Sequence, residues 1–172
     1  MKTVIRLVPV LLLAALPALA EGPGFQDELL DRLVGDWVMT GTIAGGETTH
    51  DLEARWVLEH QYLQFHELAR EKDAAGRPAY EAIVTIGWEE PAQRYACLWL
   101  DSTGGGGLDE DAVMGHADRE GDTLPFKFVM GEDAVFHTTF IYHRDSDTWE
   151  WTMDSERDGE MRPFARVTLT RR

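Results

Sequence analysis

Six histidines, one cysteine and thirty-one acidic side chains are the reactive stock of this chain. His66 opens "HELAR", half of the His-Glu-x-x-His pattern that sets two zinc-binding imidazoles on one helical face. Arg70 fills the fifth place and the run alternates like a strand, so that chemistry is absent. His60 and His66 are six residues apart, as are His137 and His143. In a strand that spacing spans about 20 Å, too far for one metal ion. The "TGGGG" run is followed by neither a Lys-Ser/Thr pair nor a helix start, so it is no phosphate loop. "LDEDA" and "RDSDT" lack the alternating oxygen register of a calcium loop. Ser102 sits in no Gly-x-Ser-x-Gly elbow. Cys97, inside "RYACLWL", reads as an inert buried thiol. No catalytic residue, metal or cofactor is expected from these spacings. A metal gathered from separate strands, or a haem held by a single histidine, stays open as a rival.

Asp101 ends the apolar "CLWL" near a strand terminus, where it either caps the next turn or stands at a rim. The aromatic residues are more suggestive. Trp149 and Trp151 alternate with Glu150 and Thr152 and share one face, as do Phe126 and Phe128, and also Phe136, Phe140 and Tyr142. Such stripes fill a core or line an apolar pocket. The pocket expected from them is Trp99, Phe126, Phe128, Phe140 and Trp151, with His66 or Asp101 as its polar handle.

Strands must position these side chains. "FQDELLDRLV" has helical spacing through Phe25, Leu29 and Leu33, and Gly35 ends it. From "DWVMTGTI" onward the period is two, in about ten runs separated by turn signals every 8–12 residues, the pattern of an all-β sandwich or barrel. An antiparallel meander of this length avoids exposed edges by closing into a barrel. The expected fold is therefore an all-β, antiparallel closed barrel of about ten strands with one short N-terminal helix. Gly35 would turn the chain sharply into the first strand, and Trp37 would plug the end beneath the helix.

Residues 1–20 read as a signal peptide, with Lys2 and Arg6 before a short apolar run and Ala18-Leu19-Ala20 as the cleavage site. The run is too short to span a bilayer, so no membrane insertion is expected. Residues 21–172 then form one domain, exported to the periplasm or secreted. Loss of Lys2 and Arg6 takes the formal charge from −15 to −17, which excludes nucleic acid and anionic lipid surfaces as natural partners. With one cysteine there is no internal disulfide, and packing alone must hold the fold.

"VGDWVMTG" resembles the Gly-x-Trp entry of the calycin superfamily, which includes lipocalins and fatty-acid-binding proteins. The resemblance implies that an arginine of the last strand, Arg171 or Arg166, covers Trp37 by a cation–π contact. With "TIGWEEPAQRYACLWLDS" and a last strand ending Thr-x-Thr-Arg, most of the mature chain is similar to an exported bacterial calycin-like family of unknown function. Ten strands exceed the eight of a lipocalin, and the helical pair covering the mouth of fatty-acid-binding proteins is missing. The function expected is binding of a small apolar or amphipathic molecule inside the barrel. The alternatives are a filled barrel acting as an interaction scaffold through loops such as 104–111, and an enzyme with its site at the barrel mouth.

Overall fold

A computed structural model describes residues 24–104 and 113–172. The expected signal peptide, most of the glycine-rich loop and the "LDEDA" turn lie outside the described residues. One helix, α1 (Glu28–Leu33), precedes ten strands: β1 (Gly35–Ile43), β2 (Gly46–Val57), β3 (Tyr62–Ala69), β4 (Glu81–Glu89), β5 (Arg94–Asp101), β6 (Gly115–Ala117), β7 (Thr123–Val129), β8 (Ala134–His143), β9 (Thr148–Arg157) and β10 (Glu160–Arg171). Each strand pairs antiparallel with the next, and β1 pairs with β10 from Trp37↔Arg171 to Ile43↔Ala165. The sheet is a closed barrel.

Alternation sends every second side chain inward. On β3, Leu63, Phe65, Glu67 and Ala69 are buried while Tyr62, Gln64, His66 and Leu68 are not. The helix is shorter than its apolar spacing suggests because Asp27 sets its start. That carboxylate accepts hydrogen bonds from the amides of Leu29 and Leu30, an N-cap that leaves Phe25 and Gln26 outside. Strand β6 is also shorter than "DAVMGHADRE" suggests. Gly115 is overlain by the Phe128 ring, which stands 2.5 Å from where a Cβ would be.

The helix closes one end of the barrel. Leu29, Leu30 and Leu33 are buried against the core, and Phe25 stacks on Trp88 and meets Trp56 and Tyr95 edge-on. Trp37 is fully buried and its indole N–H donates to the Leu33 carbonyl at 2.7 Å. The Arg171 guanidinium lies 4.2 Å from the Trp37 ring centroid. It also donates to the carbonyls of Val34 and Arg32 and to Asp147, so it satisfies backbone oxygens left open at the helix C-terminus. Arg166 instead pairs with Asp154.

At Gly41 the β1–β10 seam leaves no room for a side chain. Its φ is +147°, and a Cβ would lie 2.2 Å from the Arg166 carbonyl oxygen. Gly41→Ala is therefore expected to destabilise the fold by more than about 1 kcal/mol, since alanine meets both an unfavourable φ and a backbone clash. Urea unfolding of the variant checks this; an unchanged midpoint would contradict it.

Candidate functional site

Among the described residues the opposite end of the barrel is open and holds a cavity of about 820 Å³. It is built from the strand ends farthest from α1: the end of β1, the start of β2, the end of β3 and so on around the barrel. Its two sides differ. Strands β7 to β10 contribute Phe128, Phe136, Met153 and Phe164, with Met130 just beyond β7, an apolar wall. Strands β2 to β5, with the loop before β4, contribute Thr48, His50, Glu67, Tyr80, Trp99 and Asp101, a wall of aromatic and polar groups. Glu47 and Glu71 add two exposed carboxylates at the rim.

The polar wall is wired. His50 and Glu67 are both buried, at 4% and 2% exposure, and the imidazole Nδ1 is hydrogen-bonded to Glu67 Oε1. Nδ1–H donating to the carboxylate leaves Nε2 facing the Thr48 hydroxyl at 2.7 Å, where a neutral ring accepts. The Tyr80 ring stacks on His50 with centroids 5.8 Å apart. Its hydroxyl accepts from the Trp99 indole N–H at 3.1 Å and points at Asp101 Oδ2 over a long 3.5 Å. Burial pushes the Tyr80 phenol well above its ordinary value, and the charges of Glu67 and Asp101 add to the shift. Across the cavity Thr138 is 1% exposed, and its hydroxyl has no hydrogen-bond partner among the described residues.

The side chains expected to form the pocket separate into three groups. Trp99, Phe128 and Asp101 line the cavity. Asp101 also caps its turn, accepting from the Thr103 amide and hydroxyl, so both readings of it hold. Phe126, Phe140 and Trp151 face inward but lie one inward position deeper. The register pairs Phe140 with Trp151, whereas Thr138 and Met153 pair next to the cavity. Phe140 packs edge-on against Trp151 at 4.6 Å and against Phe126 at 5.7 Å, with Phe65 completing the layer. These rings are the floor of the cavity and none lines it. His66 is corrected outright: the pleat sends it to the outer surface, where Nε2 meets Glu81 at 2.7 Å. His137 and His143 are bonded to Glu156 and Glu150.

His50, Glu67, Tyr80 and Thr138 were not singled out from the sequence. A signal for the first two existed. Glu67 shares the phase of Leu63 and Phe65, and His50 that of Leu52 and Ala54. A charged or polar residue on the core phase of a strand needs a partner, and each is the other's.

Cys97 is fully buried on β5, and desolvation pushes its thiol far above the ordinary value. Thiolate chemistry is therefore closed to it in the native state. The native protein is expected to stay unreacted with Ellman's reagent over hours and to release one equivalent at once in denaturant; prompt native reaction would contradict the burial.

No cluster of three or more metal-ligating side chains occurs among the described residues. A model of the family described as protein of unknown function (DUF1579) matches residues 22–171. No curated protein matches the chain.

Proposed function

We propose that this chain, which belongs to the DUF1579 family of unknown function, is an exported binding protein. In this reading it holds a small apolar or amphipathic molecule in the open end of a calycin-like barrel. One observation carries the proposal: a barrel shut at one end by α1, Trp37 and Arg171 keeps about 820 Å³ open at the other. That volume falls within the roughly 300–1,000 Å³ of small-molecule sites. Its apolar wall suits a hydrocarbon or ring body, and its polar wall suits a head group. The Gly-x-Trp entry with Arg171 over Trp37 supports the calycin-like assignment. The basic, apolar and small-residue pattern of residues 1–20 supports export.

The test is equilibrium binding of Nile red, an uncharged solvatochromic dye. Saturable one-to-one binding with a blue shift is expected, and it should be lost in Ala69→Trp, which fills the cavity from a position lining it. Unsaturable partitioning, equal in both proteins, would refute the carrier reading.

A hydrolytic reading has one observation behind it, the hydroxyl–imidazole–carboxylate series Thr48, His50, Glu67. Intact-mass analysis after incubation with p-nitrophenyl octanoate separates the two. The carrier reading expects no acyl adduct; acylation at Thr48 would favour the enzyme.

A further inference from the structure

The charges around the cavity are one-sided. Four carboxylates line it, Glu47, Glu67, Glu71 and Asp101, and no lysine or arginine does among the described residues. The one basic group, His50, has both ring nitrogens engaged, by Glu67 and by Thr48. A carboxylate or phosphate head group entering here would shed water and meet no free cation, and an unpaired anion in a recess is strongly disfavoured. Burial is the main cause that raises the Tyr80 phenol above its ordinary value, and the charges of Glu67 and Asp101 add to it.

Two features show what is welcomed instead. Tyr80 and Trp99 present aromatic rings beside these carboxylates, and ring faces next to acids attract organic cations. Thr138, buried in the apolar wall with an unpartnered hydroxyl, is a polar group that lacks a mate among the described residues. Buried hydroxyls are rarely left so unless a ligand or water completes them.

We propose that the ligand of this cavity is a cationic amphiphile: an apolar or aromatic body against Phe128, Phe136 and Met153, carrying a protonated amine held at Glu67 and Asp101. This rests on the carrier reading and narrows it. Anionic amphiphiles of the fatty-acid type are discriminated against by the same carboxylates. The Thr138 hydroxyl is available to a second polar group on the ligand body.

The experiment compares octylamine, octanol and octanoate at neutral pH. They share a chain and differ in head-group charge, and each is titrated as a competitor of bound Nile red. Octylamine is expected to bind at least tenfold more tightly than octanol, and octanoate more weakly than either. Glu67→Gln keeps an oxygen for His50 and removes the charge, so it should cut the amine's preference over octanol severalfold. Asp101→Asn should act in the same direction and lies outside the buried pair, which protects the test from a folding defect. The many outer carboxylates are common to all three proteins and cancel in the comparison.

Equal binding of octylamine and octanol, or octanoate binding as tightly as the amine, would overturn the cationic class while leaving the carrier reading standing. An amine preference unchanged in both variants would overturn the assignment to Glu67 and Asp101. If none of the three competes and Nile red itself does not bind stoichiometrically, the carrier reading fails as well.

Discussion

Trp37→Ala is expected to cost about 3–5 kcal/mol of folding stability, the usual penalty for deleting a fully buried large aromatic side chain. The site cannot collapse to fill the gap. Trp37 is fully buried beneath α1, with its indole tied to Leu33 and its face under Arg171. Removing it strands the guanidinium above an empty space and frees the helix that it anchors. Against a typical domain stability of roughly 5–15 kcal/mol, such a loss places the variant near the threshold of unfolding. Urea denaturation followed by circular dichroism measures it directly. Arg171→Leu should lose less, since the ring remains and what goes is the cation–π contact with it and the carbonyl and Asp147 hydrogen bonds. A cost below about 1 kcal/mol for Trp37→Ala would mean that the closed end does not depend on its plug.

The second large effect concerns the buried pair. His50→Leu leaves the Glu67 carboxylate buried with its Oε1 partner gone, and Glu67→Leu strands the imidazole. Removing one member of a buried hydrogen-bonded pair that holds a carboxylate typically costs about 3–5 kcal/mol, whereas replacing both with apolar residues is often close to neutral. The double variant His50→Leu/Glu67→Leu is therefore expected to be markedly more stable than either single one. A thermodynamic cycle from four urea curves shows this as a large coupling energy. Additive losses would mean that the two side chains are held independently. The apolar double variant, which keeps Asp101, should also show the octylamine preference cut severalfold. A pair kept for the ligand and not for the fold would behave in this way.

The fold was legible because a half-buried antiparallel strand writes its faces into the sequence with period two. "YLQFHELA" and "TWEWTMDSE" announce both a strand and an inward side, and ten such runs in succession leave closure as the economical arrangement. The site was legible only in part. Trp99, Phe128 and Asp101 reach the cavity, while Phe126, Phe140 and Trp151, chosen by the same criterion, end one inward position below it. Depth along a barrel depends on cross-strand register and on which end is plugged, and neither is written in a single strand. His66 and Glu67 show the cost of one position. The residue that drew notice as half of a zinc motif faces water, and its neighbour lies at the centre of the polar wall. The contact of Arg171 with Trp37 joins the two ends of the domain. No local spacing carries a trace of it, and only the likeness to calycins suggested it.

In the proposed function a small amphiphile enters the barrel at the end opposite the helix. The most direct measurement is a titration of the isotope-labelled protein with octylamine, followed by amide chemical shifts. Saturating shifts are expected at Thr48, Glu67, Trp99, Asp101, Phe136 and Thr138, with Trp37 and the amides of α1 unmoved. Shifts confined to the outer faces of the strands, or spread along the acidic surface without saturation, would contradict it.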